Sequence, residues 1–346
     1  YRVDAKKQAE ERPFDHYLIP RFTSFKMEPG LMGERYGINT IYKALCESEL
    51  RNSLIVGDIV QVLEKGRTPI VISERTEHVQ HLAEKLKARC KNVIILTGGL
   101  KARERKEMGD KLQSIPADEE LVLVATGKYI GEGFDFPRLD TLFLAMPIAW
   151  KGTLAQYAGR LHRNYETKEN VLVYDYVDIH VDTLEKMYHK RVKGYSSIGY
   201  TVWNHKANRN SQNIYESGSF TETFLKDINE ADKRILIVSP SLSRTRAMVV
   251  KKHLESKRMT GIKVQIVTKP IEQYKEISKG TVTKIVNELV QLGCAVSFKE
   301  DVYQKFGIID ERIVWYGNIH LLGYGQESET IMRIDSIEIA EELKQT

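Results

Sequence analysis

The sequence predicts an α/β protein of two successive units, and three observations predict it. Short apolar runs rich in β-branched residues alternate with stretches whose apolar residues keep helical spacing, the pattern of parallel strands joined by crossover helices. One of these runs, LVLVA at 121–125, is unbroken, which places a strand under cover on both faces. Between 194 and 213 the composition shifts to serine, asparagine and glycine without a carboxylate, and a fresh strand and helix alternation begins beyond it. A chain of 346 residues is long enough for two such units, each able to bury its own core.

Taken in order, residues 1–14 read as a mixed-charge connector, and 15–24, DHYLIPRFTS, as a first strand that Pro20 moves toward a sheet edge. Helical stretches follow at 38–48 and 51–64. The run PIVIS at 69–73 feeds a helix at 76–88, in which Val79, Leu82, Ala83 and Leu86 share a face. NVIIL at 92–96 feeds a helix at 101–115, and further strands are expected at 121–125, 142–145 and 171–176. After the 194–213 linker, ILIVS at 235–239 leads to a basic helix through Lys257. VQIVT at 264–268 then leads to a helix at 281–292, and 295–298 opens a group of closely spaced strands.

The net charge of +5 is mild, and it points to nucleic acid only where the cations cluster. Cys46, Cys90 and Cys294 lie far apart without metal-ligand spacing, so reduced core thiols in a cytoplasmic protein are expected, with no metal site. No apolar run spans a bilayer, so no membrane partner is expected.

Residues 152–165, GTLAQYAGRLHRNY, carry polar groups where a buried helix would show an apolar face. Gln156, Gly159, Arg160 and Arg163 fall at i, i+3, i+4 and i+7 and on one helix would share a stripe, with Leu154, Ala158 and Leu161 behind it. A solvated face with two arginines is the plain alternative, but it does not explain a glycine that costs a helix about 1 kcal/mol. Paired arginines suit a phosphate, because a guanidinium donates bidentately and stays charged when desolvated. The pattern QxxGRxxR resembles motif VI of superfamily 2 DNA helicases (DEAD/DEAH type), which lies on the second of their two RecA-like lobes. The resemblance implies a RecA-like, parallel, doubly wound sheet over 15–193, with Gln156, Arg160 and Arg163 as catalytic residues. Arg163 would be the arginine finger that stabilises a phosphoryl-transfer transition state.

Other segments agree with that family. After LVLVA come Thr126 and Gly127, then Gly131, Glu132, Gly133, Phe134, Asp135 and Pro137, which resemble motif V. Glycines let backbone N–H groups approach a phosphate or ribose, and an aspartate can hold a hydroxyl, although any βα loop also favours glycines. The resemblance makes Gly131, Glu132, Gly133 and Asp135, with Arg160 and Arg163, the cofactor-binding residues. Ser73, Glu74 and Arg75 stand where motif IV lies. Thr97, Gly98 and Gly99 open a helix whose first turns hold Lys101, Arg103, Arg105 and Lys106, cations that oppose the helix dipole unless an anion sits there. Thr97, Gly98, Gly99, Arg103, Arg105, Thr126 and Gly127 are therefore the nucleic-acid candidates, an ordinary solvated face being the alternative for the cations. The aromatic and basic residues Tyr195, Tyr200, Trp203, Lys206 and Arg209 could stack bases, but packing onto their own domain is the favoured expectation.

No G-x-x-x-x-G-K-[ST] and no acidic D-E-x-D/H box occurs in this sequence, so the phosphate cradle and the magnesium ligand are expected on a first lobe outside it. By itself the chain should not hydrolyse ATP. Near the other end, Tyr303, Lys305, Asp310, Gly317, Asn318 and His320 keep the spacing of the phospholipase D-like pattern H-x-K-x4-D-x6-G-S-x-N, and Glu329 sits where that family carries a late glutamate. The resemblance implies a second α/β domain, phospholipase D-like, over 214–346. Its site would be degenerate at Tyr303, Lys305, Asp310, Asn318, His320 and Glu329, because tyrosine replaces the attacking histidine and an ordinary phenol is poorly nucleophilic at neutral pH. The whole reads as the C-terminal part of an ATP-dependent, Mg²⁺-requiring DNA helicase or translocase. Its expected partners are single- or double-stranded DNA, the first lobe, and a second copy bound through the phospholipase D-like domain. The alternatives are a phospholipase D-like nuclease acting as a dimer, and a nucleic-acid-binding or assembly module.

Overall fold

The computed structural model describes residues 12–28, 36–98, 102–131, 134–148, 151–166, 168–203, 213–324 and 329–345. They divide into two compact units, one running through Tyr200 and the other Thr201–Gln345. In the first unit the elements are β1 (Asp15–Phe22), α1 (Ile38–Glu47), α2 (Glu49–Glu64), β2 (Pro69–Ser73), α3 (Thr76–Lys87), β3 (Val93–Leu96) and α4 (Ala102–Ser114). They continue with β4 (Val122–Thr126), α5 (Gly127–Gly131), β5 (Thr141–Leu144), α6 (Lys151–Gly159), β6 (Asn170–Val177) and α7 (Asp182–Ser197). The strands run in the order β3-β4-β2-β5-β6-β1, and every pairing among them is parallel.

The layering follows from composition. β2, β4 and β5 are buried at every residue, as their unbroken apolar runs require, whereas β3 alternates between half-buried and buried. Val79, Leu82, Ala83 and Leu86 of α3 join Ile55, Ile59 and Val62 of α2 in one core over β2 and β4. Each fully buried Val or Leu there contributes about 1.5–3 kcal/mol. β1 pairs with β6 along its whole length, Pro20 standing opposite Asp175.

Two buried ion pairs secure the ends of the sheet. Arg191 of α7 donates bidentately to Asp175 at 2.7 and 2.8 Å and to the Ile148 carbonyl at 3.0 Å. Arg51 of α2 donates to Asp178 at 2.8 Å and to the Ala145 carbonyl at 2.6 Å. Removing one partner of such a pair costs about 3–5 kcal/mol, because a buried charge is left unmatched. The segment read from composition as a linker from 194 begins inside α7, which runs to Ser197. The reason is Tyr195, fully buried with its hydroxyl on Asp175 at 2.9 Å.

The second unit begins with the two-residue strand β7 (Thr201–Val202) and continues with β8 (Ile214–Glu216), α8 (Thr221–Glu230), β9 (Arg234–Val238), α9 (Arg244–Met259), β10 (Lys263–Thr268) and α10 (Glu276–Gln291). Then come β11 (Ala295–Phe298), β12 (Phe306–Ile309), β13 (Ile313–Gly317), β14 (Thr330–Asp335) and α11 (Ile337–Gln345). Its sheet is mixed, in the order β11-β10-β9-β12-β13-β14-β8, with β11, β10 and β9 parallel and the rest antiparallel. Trp315, fully buried, donates to Asp227 at 2.8 Å, and Arg333 closes the same carboxylate at 2.7 and 2.8 Å. Among the described residues no helix is long and apolar enough to cross a membrane.

Candidate functional site

The arginine stripe is not carried by one helix. α6 ends at Gly159, Arg160–His162 form a single 3-10 turn, and Arg163 is extended at φ −74° and ψ 136°. Leu154, Ala158 and Leu161 are buried as their spacing requires, and Gln156 is exposed. Ties from beyond the turn accompany the tightening. The Lys168 ammonium donates to the carbonyls of Leu161 at 2.8 Å and Arg163 at 2.7 Å, and the His162 ring nitrogen Nε2 lies 3.0 Å from the Tyr200 hydroxyl. Carbonyls at the end of a helix need such partners. The turn presents the two arginines differently. Arg163 Nε donates to Asp135 Oδ1 at 3.1 Å, with side chains 58% and 46% exposed, so the pair is open to competition from solvent or ligand. Arg160 Nε is buried and has no hydrogen-bond partner among the described residues.

The loops after β2, β3 and β4 meet beside it. The Gly98 amide donates to Thr126 Oγ1 at 3.2 Å, so Thr97, Gly98, Thr126 and Gly127 form one neighbourhood at the carboxyl ends of adjacent strands. Gly127 is sterically required: a Cβ there would stand 1.8 Å from the Tyr157 hydroxyl and 2.3 Å from Glu74 Oε1. Those two groups share a hydrogen bond of 2.7 Å, so segments from β2, β4 and α6 are locked together over a bare backbone. Burial, then the bond to Glu74, pushes the Tyr157 phenol well up, and it stays neutral. Ser73 Oγ bonds the Nδ1 of His78 at 3.0 Å, while His78 Nε2 meets Asn52 at 2.9 Å. Burial, and then the charge on Arg51, push His78 down to about 3, so the imidazole is neutral and serves as a brace.

Arg103 projects into solvent and pairs with Glu107 at 2.8 Å within its own helix. Gly99, Glu132 and Gly133 lie outside the described residues. Gly131 ends α5 and Arg105 lies within α4. Sequence reasoning passed over Lys168, Tyr157, His16 and His162, while Tyr200 is buried on its own domain as favoured, with its hydroxyl on His162. Burial and the Arg12 charge push His16 to about 4 and His162 to about 2.

In the second unit the spaced residues divide into two groups. Asp310 is at the far end of β12 from Lys305, in a left-handed conformation at φ 53°. Its carboxylate accepts the amides of Asp232 at 2.8 Å, Lys233 at 2.8 Å and Arg234 at 3.1 Å. It is therefore a turn cap, and its assignment to the degenerate site is corrected: one strand length separates it from the other residues. Gly317 lets β13 approach β14, since a Cβ would meet the Thr330 carbonyl at 2.3 Å. Asn318 Oδ1 accepts the Thr330 amide at 2.7 Å, which also makes it a joint between strands. His320 keeps a buried Nδ1 without a hydrogen-bond partner among the described residues. Burial, then the charges of Lys305, Lys269 and Arg246, push it down to about 4. Arg246 donates to the His320 carbonyl at 3.1 Å, lies 5.1 Å over the Phe220 ring, and feels the charge of Glu329. Tyr303 and Lys305 are half-buried at the start of β12. Cys46, Cys90 and Cys294 are buried free thiols, and among the described residues no cluster of His, Cys, Asp or Glu could hold a metal.

Two family profiles match this arrangement, the helicase conserved C-terminal domain over residues 53–165 and the cardiolipin synthase, PLD-like domain over residues 224–346. The chain joins a helicase C-terminal domain to a phospholipase D-like domain. Among its relatives, a protein named as a helicase, 161L of Invertebrate iridescent virus 6, is 31% identical over 183 residues, covering 50% of this chain and 40% of that protein. Transcript termination protein A18 of Fowlpox virus (strain NVSL) is 22% identical over 176 residues, covering 50% of this chain and 37% of that protein. Among solved structures, T4 UvsW overlays 55% of this chain and 40% of its own with a TM-score of 0.42 at 15% identity. The chain thus spans 40% or less of the curated relatives it matches here. The helicase domain carries the Gln156, Arg160 and Arg163 turn, and the phospholipase D-like domain carries Lys305 and His320. The helicase domain profile and the two named relatives point to a helicase-type, nucleic-acid-associated function.

Proposed function

We propose that this chain supplies the second RecA-like lobe of an ATP-dependent superfamily 2 DNA helicase or translocase, and that Arg160 and Arg163 are its contribution to ATP hydrolysis. The observation that carries the reading is Arg160 Nε, buried and unpartnered among the described residues, beside an Arg163 whose guanidinium pairs with an exposed aspartate. A buried cationic donor without an acceptor is costly unless an anion completes it, and a nucleotide phosphate has the required charge and geometry. ATP would bring the phosphoryl group to be transferred, and Mg²⁺ would be held by a first lobe. This chain's own residues donate hydrogen bonds to phosphate oxygens from Arg160 and Arg163 and leave Asp135 free to take a hydroxyl. The Thr97, Gly98 and Thr126 neighbourhood is the segment proposed to carry the nucleic-acid backbone, with Arg103 at its rim.

The phospholipase D-like domain is proposed to hold nucleic acid without cutting it. Lys305, Lys269 and Arg246 supply positive charge, while the position of the attacking histidine is filled by Tyr303. Arg163→Ala in the full-length protein tests the first reading, with ATP turnover expected to fall by about 10³-fold and nucleotide affinity little changed. Turnover within a few fold of wild type removes Arg163 from the mechanism. For the second reading, labelled single- and double-stranded DNA is incubated with the chain in EDTA. Cleavage or a covalent adduct that disappears in both Tyr303→Phe and Lys305→Ala overturns binding without chemistry and favours the nuclease alternative.

A further inference from the structure

Lys168 lies outside every segment recognised in the sequence, yet its ammonium is the point at which two of them are joined. Nζ donates to the carbonyls of Pro137 at 2.9 Å, Leu161 at 2.8 Å and Arg163 at 2.7 Å. An ammonium has three N–H donors and accepts nothing, so these carbonyls engage its full capacity. Pro137 closes the loop that carries Asp135. Leu161 and Arg163 flank His162 in the turn that carries both arginines. The aliphatic stem packs so that Nζ lies 5.5 Å over the Phe14 ring, and the backbone N–H of Lys168 is itself fixed on the Tyr165 carbonyl at 3.0 Å. A lysine held at both its backbone and its head group, with the loops on either side of the Arg163 and Asp135 pair as acceptors, determines how far apart those loops stand.

We propose that Lys168 is the positioning residue of the arginine turn: by gripping the Pro137, Leu161 and Arg163 carbonyls together, it sets the register between Asp135 and Arg163 from which the finger engages phosphate. The inference rests on reading Arg160 and Arg163 as phosphate ligands. Other groups that face Nζ are Asp140 and Arg67, and His162 in the turn itself. Burial, opposed by Asp140 and reinforced by Arg67, lowers the Lys168 ammonium to about 8. Above that pH the neutral amine keeps two N–H donors for three carbonyls, and one tie is released.

The test uses Lys168→Met and Lys168→Arg, each in the full-length protein and in this chain. Misplacement of a catalytic group by about 1 Å can cost 10²-fold. Lys168→Met is accordingly expected to lower kcat for ATP roughly 10- to 100-fold with KM within about twofold. Wild-type kcat is expected to fall above about pH 8. Lys168→Arg, charged at every accessible pH, should recover part of kcat and remove that alkaline fall. Equal kcat in wild type and Lys168→Met, or an unchanged alkaline limb in Lys168→Arg, overturns the proposal. Hydrogen exchange on this chain supplies a readout independent of ATP chemistry. Faster exchange confined to 134–137 and 160–166 in Lys168→Met supports the tie, and unchanged exchange there overturns it. If Arg163→Ala leaves turnover intact, the phosphate reading fails while the exchange result still judges Lys168.

Discussion

Gly127→Ala is the substitution whose consequence the geometry fixes most closely. The glycine φ is not in the left-handed region, so alanine is conformationally acceptable and even gains about 1 kcal/mol in helix propensity where α5 begins. Sterics oppose that gain. The new methyl would stand 1.8 Å from the Tyr157 hydroxyl, 2.3 Å from Glu74 Oε1 and 2.8 Å from Tyr157 Cζ. Tyr157 is buried and cannot swing away freely, so the 2.7 Å bond to Glu74 must break and the ring must shift. Loss of a hydrogen bond to a charged group costs about 1.5–3 kcal/mol, and overpacking a filled site costs about 1–3 kcal/mol. After subtraction of the propensity gain, the expected destabilisation is roughly 1.5–5 kcal/mol. For a domain of this size that lowers Tm by about 5–15 °C. Differential scanning calorimetry of the chain measures it. The transition of the helicase domain should move while that of the phospholipase D-like domain stays in place. Tyr157→Phe supplies the internal check, because removing the hydroxyl relieves the nearest clash and the double variant should be less destabilised than the sum of the singles. A Gly127→Ala protein that melts within about 2 °C of wild type (about 0.5–1 kcal/mol), or singles that add without coupling, refutes the steric reasoning.

Three further outcomes are expected. Asp310→Ala should destabilise the phospholipase D-like domain by about 1–3 kcal/mol in urea unfolding, because three amides lose their acceptor, while DNA affinity stays unchanged. A loss of binding without a loss of stability would return Asp310 to the site. Gly280→Ala should stabilise by about 0.5–1 kcal/mol, since the glycine lies inside α10 and a Cβ there would meet no atom within 4 Å. Because folding lowers His78 from its ordinary 6.5 to about 3, the unfolded chain binds more protons between those values. Stability is therefore complete above about pH 6.5 and declines as pH falls toward 3. His78→Gln should flatten that acid limb in urea midpoints measured across the range, and an unchanged slope would remove His78 as its source.

The strands and helices of the helicase domain were legible because its central strands carry their burial in composition. Ile70, Val71 and Ile72 in β2 and the LVLVA run leave no polar residue for a solvent face, and α3 repeats its apolar residues at helical spacing. What sequence spacing could not contain was the end of α6. Periodicity carried the stripe on to Arg163, but the chain leaves the helix at Gly159, where Lys168 a few residues on and Tyr200 from a distant segment take hold of the next residues. In the same way α10 begins at Glu276, five residues before the expected start at 281. Gly280 argues locally for a break there, while Val282, Ile285, Val286 and Leu289, all buried on one face, hold the helix through it. A motif match also overstated what its spacing meant: the position of Asp310 agrees with a pattern, but its carboxylate serves a turn.

That correction bears on the chemistry left to the phospholipase D-like domain. Attack on phosphorus needs a nucleophile whose proton has somewhere to go and an acid for the leaving oxygen. The carboxylate of Asp310 is committed to three amides at the distant end of β12, so it can serve neither purpose. What remains near Lys305 is chiefly positive charge. His320 is held neutral by its burial and by Lys305, Lys269 and Arg246, with one ring nitrogen lacking a partner among the described residues. An arriving phosphate would offset those cations and make protonation of the imidazole easier, which would strengthen the grip on the anion as pH falls. A protonated imidazole donates from both nitrogens and attacks nothing. On the proposal that this domain holds nucleic acid, the protonation that would improve binding would also withdraw the one remaining histidine of the motif from nucleophilic use, so holding a backbone and cutting it would call for different states of the same ring.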